Sequence, residues 1–407
     1  MARSEPRRNG PPAITLARLP IALAACFALS STALTTFSVV SPEIVMELGL
    51  SYSETGMVAA AYMLGYGLFQ LPVSLLGDRL GHSRVLIGAA ILMTVASLLP
   101  CLASSFTIWL VARLLMGIGG AAVLPLSLHL LAHEMSGPRL VSSIGIFVSG
   151  WGIGMTIAML GAAPLLDIAG WRQVMLATTL LGATVTAGAT WVLPKVGNCR
   201  KTRRAECAVP TLLRIVVGNR ALNLMGLVNA SGTTIMVCIP AWLPLYLAAA
   251  FSVPAAEASA LLSPIGIGVA LGAWLGGMLA VRLGWRAVVV GSLFLSCFLA
   301  AIVPLQVEPL VVAALAILIG LVGMLFPAPI QSLFPLVIAE ERTAIAAAYY
   351  NTIGFFGAFG ASLLFGYLVD RSGSFTAGWL FLAAIPLVGI GAALSLSFGG
   401  QGHSKDG

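Results

Sequence analysis

Arg113 is the residue whose placement most needs explaining. It stands in Arg113-Leu-Leu-Met-Gly117-Ile-Gly119-Gly120, inside an apolar run over 107–131. A guanidinium at bilayer depth costs about 2.5–3.5 kcal/mol or more, so it is expected to face a bundle interior or a cavity. There it can bind an anionic group, organise coupling, or bond backbone carbonyls for structural reasons alone. The apolar runs around it carry few polar side chains: Ser31, Thr32 and Thr35, then Tyr62, Tyr66 and Gln70, then Trp151, Asn229, Thr233 and Asn351. Tyr62/Tyr66 and Asn229/Thr233 are i,i+4 pairs, so each pair shares a helix face. Thr35, Tyr62, Tyr66, Arg113, Trp151, Asn229, Thr233 and Asn351 are the candidates for a solute path, and helix-to-helix hydrogen bonding is the alternative reading of each. No Asp or Glu stands mid-run, so a mid-membrane carboxylate relay is not expected. Coupling would use an acid near a helix end, His129 or His133, or the solute's own charge; facilitated diffusion stays open.

A second set of residues suits a gate. After the second apolar run comes Gly77-Asp78-Arg79-Leu-Gly81-His82-Ser83-Arg84. Gly81 can take positive φ and close a tight turn. Asp78 can receive an opposing helix N-terminus or a basic side chain, and Arg79 and Arg84 can pair with acids elsewhere. Glu134, Glu340 and Glu341 are the acids placed to do so; simple helix capping is the bland alternative. A weaker copy follows the eighth run, Gly277-Met-Leu-Ala-Val281-Arg282-Leu-Gly284-Trp285-Arg286, with valine in place of the acid. Asp78, Arg79, Gly81, Arg84, Glu134, Arg282 and Arg286 are thus the candidates for a cytoplasmic gate, and a solvated positive-inside loop is the alternative reading of the loop residues.

These residues need long apolar helices to hold them. The chain has 407 residues, 59% hydrophobic and 9% charged, against roughly 25% charged in soluble domains. A span needs about 20 apolar residues. Runs that meet this length or come close lie at 19–40, 55–76, 85–103, 107–131, 141–165, 174–193, 221–249, 256–279, 287–304, 310–333, 343–369 and 377–398, the tenth interrupted by Pro327 and Pro329. The predicted class is an all-α membrane protein with twelve transmembrane helices in two six-helix bundles related by internal duplication. One constant offset joins Arg79 to Arg282, Gly81 to Gly284, Arg139 to Arg342, Asp167 to Asp370 and Gly170 to Gly373. The expected divisions are 1–194, a basic cytoplasmic connection at 195–220, and 221–407.

Basic residues set the orientation. With the N-terminus inside, Arg3, Arg7, Arg8, Arg18, Arg79, Arg84, Arg139, the Lys195–Arg220 group, Arg282, Arg286, Arg342 and Lys405 all fall inside, while the outer loops hold only Arg172 and Arg371. Both termini are expected in the cytoplasm and the protein in the cell membrane, with the first run kept as a signal-anchor helix. The net charge of +7 is not gathered on a stripe with aromatics, so no nucleic-acid partner is expected. Cys26, Cys101, Cys238 and Cys297 lie in apolar runs and Cys199 and Cys207 in the basic connection; free thiols are expected, with no metal and no cofactor. Nothing resembles a phosphate loop or a nucleophile–base pair, so an enzyme is not expected.

The 77–84 loop resembles the signature of the major facilitator superfamily, with Ser74 at its usual first glycine and His82 and Ser83 at two usual basics; the Arg113 run is similar to that family's fourth-helix motif. The resemblance covers nearly the whole chain. It implies a monomeric secondary transporter that moves a small solute across the lipid bilayer by alternating access, with the inner helices of both halves lining the cavity. It also implies that the fifth and eighth helices, and the second and eleventh, meet between the halves; Gly150/Gly154, Gly268/Gly272/Gly276 and Gly354/Gly357/Gly360 have suitable spacing, and close helix packing alone would explain them equally. Glu47-Leu-Gly-Leu-Ser51 through Gly65-Tyr66-Gly67-Leu68-Phe69-Gln70-Leu71-Pro72 is similar to the anion:cation symporter branch, although the basic residue that branch often has in its first helix is missing. That similarity and Arg113 favour uptake of an organic anion, with a co-transported proton or cation left open. A drug or metabolite exporter is the alternative, and a non-transporting sensor a weaker one. The fifth run, Ser149-Gly150-Trp151-Gly152-Ile153-Gly154, lacks the glycine–proline pattern common in drug antiporters.

Overall fold

The computed structural model describes residues 13–102, 105–193, 216–305, 308–339 and 343–397. Twelve helices among them are long and apolar enough to cross a membrane. They are α1 Ala13–Leu48, α2 Tyr52–Leu80, α3 His82–Leu98, α4 Phe106–Glu134, α5 Gly137–Ala169 and α6 Trp171–Val192, then α7 Arg220–Phe251, α8 Ala255–Leu283, α9 Trp285–Ile302, α10 Pro309–Gln331, α11 Thr343–Ser372 and α12 Phe375–Ser395. Most of the Lys195–Arg220 connection, Cys199, Cys207, Glu340, Glu341 and Arg342 lie outside the described residues, as do Arg3, Arg7, Arg8 and Lys405.

Local chemistry explains where helices start, stop and break. Ser51 and Glu54 form a reciprocal capping box at the start of α2. Gly81 turns α2 into α3 at φ 97° and Gly284 turns α8 into α9 at φ 80°; Gly170 and Gly373 repeat the device at the opposite end with φ 80° and 67°. These are two of the offset pairs, so the duplicated residues do the same backbone work. Pro42 has no N–H for the Ser38 carbonyl one turn back; the Ser41 hydroxyl donates to it at 2.8 Å, and α1 continues. In α10 the continuous helix ends at Gly323 and a short piece resumes at Pro327–Gln331, the break expected at Pro327 and Pro329. A second break, between Leu262 and Ile265 in α8, was not expected, although Pro264 stands in it.

Packing follows the glycines, but not in the assignment expected from spacing. A Cβ at Gly150 or Gly154 would lie 2.3 or 2.2 Å from the Ala24 or Ala28 carbonyl oxygen, so these residues seat α5 on α1. Gly268, Gly272 and Gly276 seat α8 on α10 in the same way, and Gly354 and Gly357 seat α11 on α7. All these contacts lie within one half. The halves meet through other glycines. Gly152 and Gly266 approach each other's carbonyls, at 2.5 and 2.4 Å from the missing Cβ positions, and join α5 to α8. Gly56 lies against the Ser362 carbonyl and Gly366 against the Tyr52 carbonyl, joining α2 to α11. The helix pairing between halves is as expected; the residues that make it are not, because a spacing of four marks a face without naming the neighbour.

Candidate functional site

A narrow cavity lies between the halves. Leu34, Thr35, Phe37 and Ser38 of α1, Ala59 and Met63 of α2, Arg113 of α4, and Trp151 and Met155 of α5 line one side; Met236, Val237, Pro240 and Ala241 of α7 line the other. Arg113 is 1% exposed. Its Nη1 donates to the Ala33 carbonyl at 2.6 Å, and the guanidinium carbon sits 4.8 Å from the Tyr62 ring centre and 5.1 Å from that of Phe37. Tyr62 is fixed in turn: its hydroxyl lies 2.9 Å from both the Ser30 carbonyl, to which it donates, and Ser30 Oγ. Aromatic faces and one carbonyl therefore support the cation. Nε has no partner, and among the described residues no carboxylate forms an ion pair with Arg113. The site is one buried positive charge in a mostly apolar chamber.

The other path candidates are spread around this chamber. Thr35 and Trp151 line it, Trp151 against Phe27 at 5.0 Å. Tyr66 stacks on Phe355 of α11 at 4.0 Å and so joins the halves. Asn229 donates to the Tyr350 carbonyl at 2.9 Å and accepts from Thr233 at 3.1 Å, which ties α7 to α11. Asn351 is half-buried on α11. Ser38, Phe37 and the three methionines were not among the sequence candidates. Ser38 lies one turn from Thr35 and was legible on that ground; methionines in an apolar run carry no such mark.

Two ends flank the chamber. At one end the Asp370 carboxylate, on the last turn of α11, accepts from the backbone N–H of Tyr52 at 3.0 Å and of Ser53 at 2.7 Å, and from the Ser53 hydroxyl. It thereby caps the first turn of α2 from the other half of the molecule, where unpaired N–H groups and the helix dipole favour an anion. Thr352 donates to the Gly67 carbonyl at 3.0 Å further along the same two helices. Asp167, the counterpart of Asp370 in the first half, is exposed. Also at this end, Glu47 holds Arg172 in a two-pronged pair at 2.6 and 3.0 Å and accepts from the Trp171 indole at 2.7 Å.

The opposite end carries the expected gate residues. Asp78 lies 3.3 Å from His82 Nε2, and the His82 ring stacks on that of His129 at 3.8 Å. Glu134 pairs with His133 at 2.8 Å. Arg79, Arg84 and Arg282 are exposed, and Arg286 donates to the Leu396 carbonyl and stands over Trp285. Asp78 and Glu134 thus each meet a histidine of their own half. Cys26, Cys101, Cys238 and Cys297 are free thiols.

The Major Facilitator Superfamily profile matches residues 23–362. The chain belongs to this superfamily. Among relatives, the probable sulfoacetate transporter SauU of Cupriavidus necator is 26% identical over 389 residues, 88% of each chain. The drug efflux pump JefA of Mycobacterium tuberculosis is 35% identical over 158 residues, 37% of this chain but only 28% of the pump. A gallate transporter of Pseudomonas putida is 29% identical over 169 residues, 42% of this chain and 38% of that one. The nucleoside transporter NupG has the same fold, with a TM-score of 0.75 at 15% identity over 93% of this chain and 99% of that one.

Proposed function

We propose that this superfamily member is a secondary transporter that carries a small organic anion across the cell membrane by alternating access, pairing the anion with Arg113. The observation that carries this reading is the buried guanidinium that has no carboxylate partner among the described residues, in a cavity lined by both halves. A fixed cation in a low-dielectric chamber attracts one negative charge strongly, since solvent does not screen it. The match to SauU along 88% of both chains, and the match to a gallate transporter, support an organic acid as cargo.

The bundles at 1–194 and 221–407 move against each other about this site, with 195–220 as the connection between them. Positive-inside counting puts both termini in the cytoplasm. The Asp370 end then faces outward and closes the cavity to the outside, and the Asp78 end faces the cytoplasm. A co-transported proton or cation completes the cycle in the symport form of this reading. Export of a drug or metabolite is the second reading; the JefA match favours it, although it covers little more than a third of this chain.

Flux of organic acids into proteoliposomes, compared between the wild type, Arg113→Lys and Arg113→Ala, tests the proposal. Lysine keeps the charge and loses the two-pronged hydrogen bonding, so partial transport is expected; alanine loses transport while the protein still inserts. Undiminished flux in Arg113→Ala would remove the anion site.

A further inference from the structure

We propose that Gln70 of α2 and Asn351 of α11 form an amide latch between the halves, which pairs when the Asp78 end closes and the Asp370 end opens. The proposal rests on the alternating-access reading above and adds to it a contact that holds the second form.

α2 and α11 run antiparallel across the division between the halves. Their hydrogen bonds proceed from Asp370 with Tyr52 and Ser53, through Ser362 with the Gly56 carbonyl at 3.4 Å, to Thr352 with the Gly67 carbonyl at 3.0 Å. Tyr66 stacks on Phe355 at this last level, with ring centres 4.0 Å apart. A Cβ at Gly67 would lie 3.1 Å from Phe355 Cβ, so the two helices approach closely here. Gln70 follows Tyr66 by one turn, and Asn351 precedes Phe355 by one turn. Positions one turn apart share a helix face. Both amides therefore belong to the faces that carry the aromatic stack, one step beyond it towards Asp78.

Gln70 lacks something in this form. It is fully buried, and neither its Oε1 nor its Nε2 has a hydrogen-bond partner among the described residues. A buried amide without partners costs free energy that a second form can recover. Asn351 is half-buried at the same level. Each amide carries an acceptor oxygen and an NH2 donor, so the two can pair through two hydrogen bonds. Rocking about the Gly67–Phe355 contact parts the Asp370 bonds at one end and brings the amides together at the other. A side-chain hydrogen bond between membrane helices shifts such a balance by about 3–30-fold.

The test uses the full chain with a Thr35→Cys reporter on a background without the native cysteines, labelled from the Asp370 side by a membrane-impermeant maleimide. Gln70→Met and Asn351→Leu keep side-chain size and remove the amides. Each should slow labelling by about 3–30-fold, and the double variant should slow it no further than the stronger single one. In a separate protein, Gln70→Cys and Asn351→Cys together should be joined by a short bifunctional thiol reagent, and faster once Asp370→Ala is added. Labelling that is unchanged or accelerated in either single variant, or additive effects in the double variant, overturns the latch. An effect of Gln70→Met without one of Asn351→Leu points to a buried water held by Gln70 and counts among these results. Alternating access still stands in all of them if Asp370→Ala accelerates labelling. If Asp370→Ala changes neither labelling nor cross-linking, the alternating-access reading fails and the latch with it. Should Gln70→Met fail to fold, the cross-link decides: a rate indifferent to Asp370→Ala, in protein whose reporter labelling Asp370→Ala does accelerate, overturns the latch alone.

Discussion

Replacing Asp370 with alanine should open the cavity from the Asp370 side. The carboxylate takes two backbone N–H groups and one hydroxyl from the first turn of α2, and these bonds exist only while the halves are together at that end. Hydrogen bonds to a charged acceptor contribute about 1.5–3 kcal/mol each in mutational series. This carboxylate is exposed, and water replaces the lost donors and acceptors when the halves part, so the sum is discounted to about 1–3 kcal/mol. That corresponds to about a 5–150-fold change in the ratio of open to closed forms. The assay is labelling of a Thr35→Cys reporter, on a background without the native cysteines, by a membrane-impermeant maleimide. Thr35 lines the cavity and is buried in the closed form. Labelling from the Asp370 side should accelerate within that range in Asp370→Ala and less in Asp370→Asn, which keeps one acceptor oxygen. Asp167→Ala is the internal control, an exposed carboxylate at the matching position of the first half. A wild-type labelling rate in Asp370→Ala, or an equal acceleration in Asp167→Ala, would refute the reasoning.

Asp78→Asn should slow transport much more than it lowers the amount of folded protein, because the Asp78–His82 turn is remote from the cavity and acts on the balance of states; normal transport at equal expression would exclude that role. Gly266→Val should abolish transport in inserted protein, since a Cβ there lies 2.4 Å from the Gly152 carbonyl and 2.3 Å from Thr156 Oγ. Gly291→Ala, where nothing lies within 4 Å, should transport normally, and cysteine cross-linking between α5 and α8 separates a parted interface from a misfolded protein. Cysteines placed in the Lys195–Arg220 connection should react only from the cytoplasmic side; labelling from outside would reverse the topology and the assignment of both gates.

Much of the fold was legible because lipid leaves little choice. Backbone groups in a bilayer must bond within their own helix, so twelve apolar runs become twelve helices. The offset that joins Gly81 to Gly284 and Gly170 to Gly373 marks four turns that share positive φ. The interior placement of Arg113 was legible for the same reason, since a guanidinium facing lipid is costly, and the structure buries it beside the cavity. The neighbours of each helix face were not legible. Asn229 and Thr233 bond across to α11, and Gly154 packs on α1, because a helix has several faces and periodicity does not say which one meets which neighbour. Asp370 shows the limit most clearly. Its position gave away the duplication, but its partner stands 317 residues earlier in the chain, at Ser53, and no local pattern connects the two. The methionine wall was invisible for a different reason, since methionine in an apolar run is compositionally ordinary.

The central claim is that a small organic anion crosses the membrane by way of Arg113. Counterflow in proteoliposomes tests it most directly: vesicles loaded with an unlabelled organic acid exchange it for the labelled acid outside. Wild-type protein should accumulate label from at least one organic acid well above protein-free vesicles, and Arg113→Ala, reconstituted in equal amount, should not. Label accumulation in Arg113→Ala equal to wild type, or no accumulation of any acid by the wild type, would contradict the account.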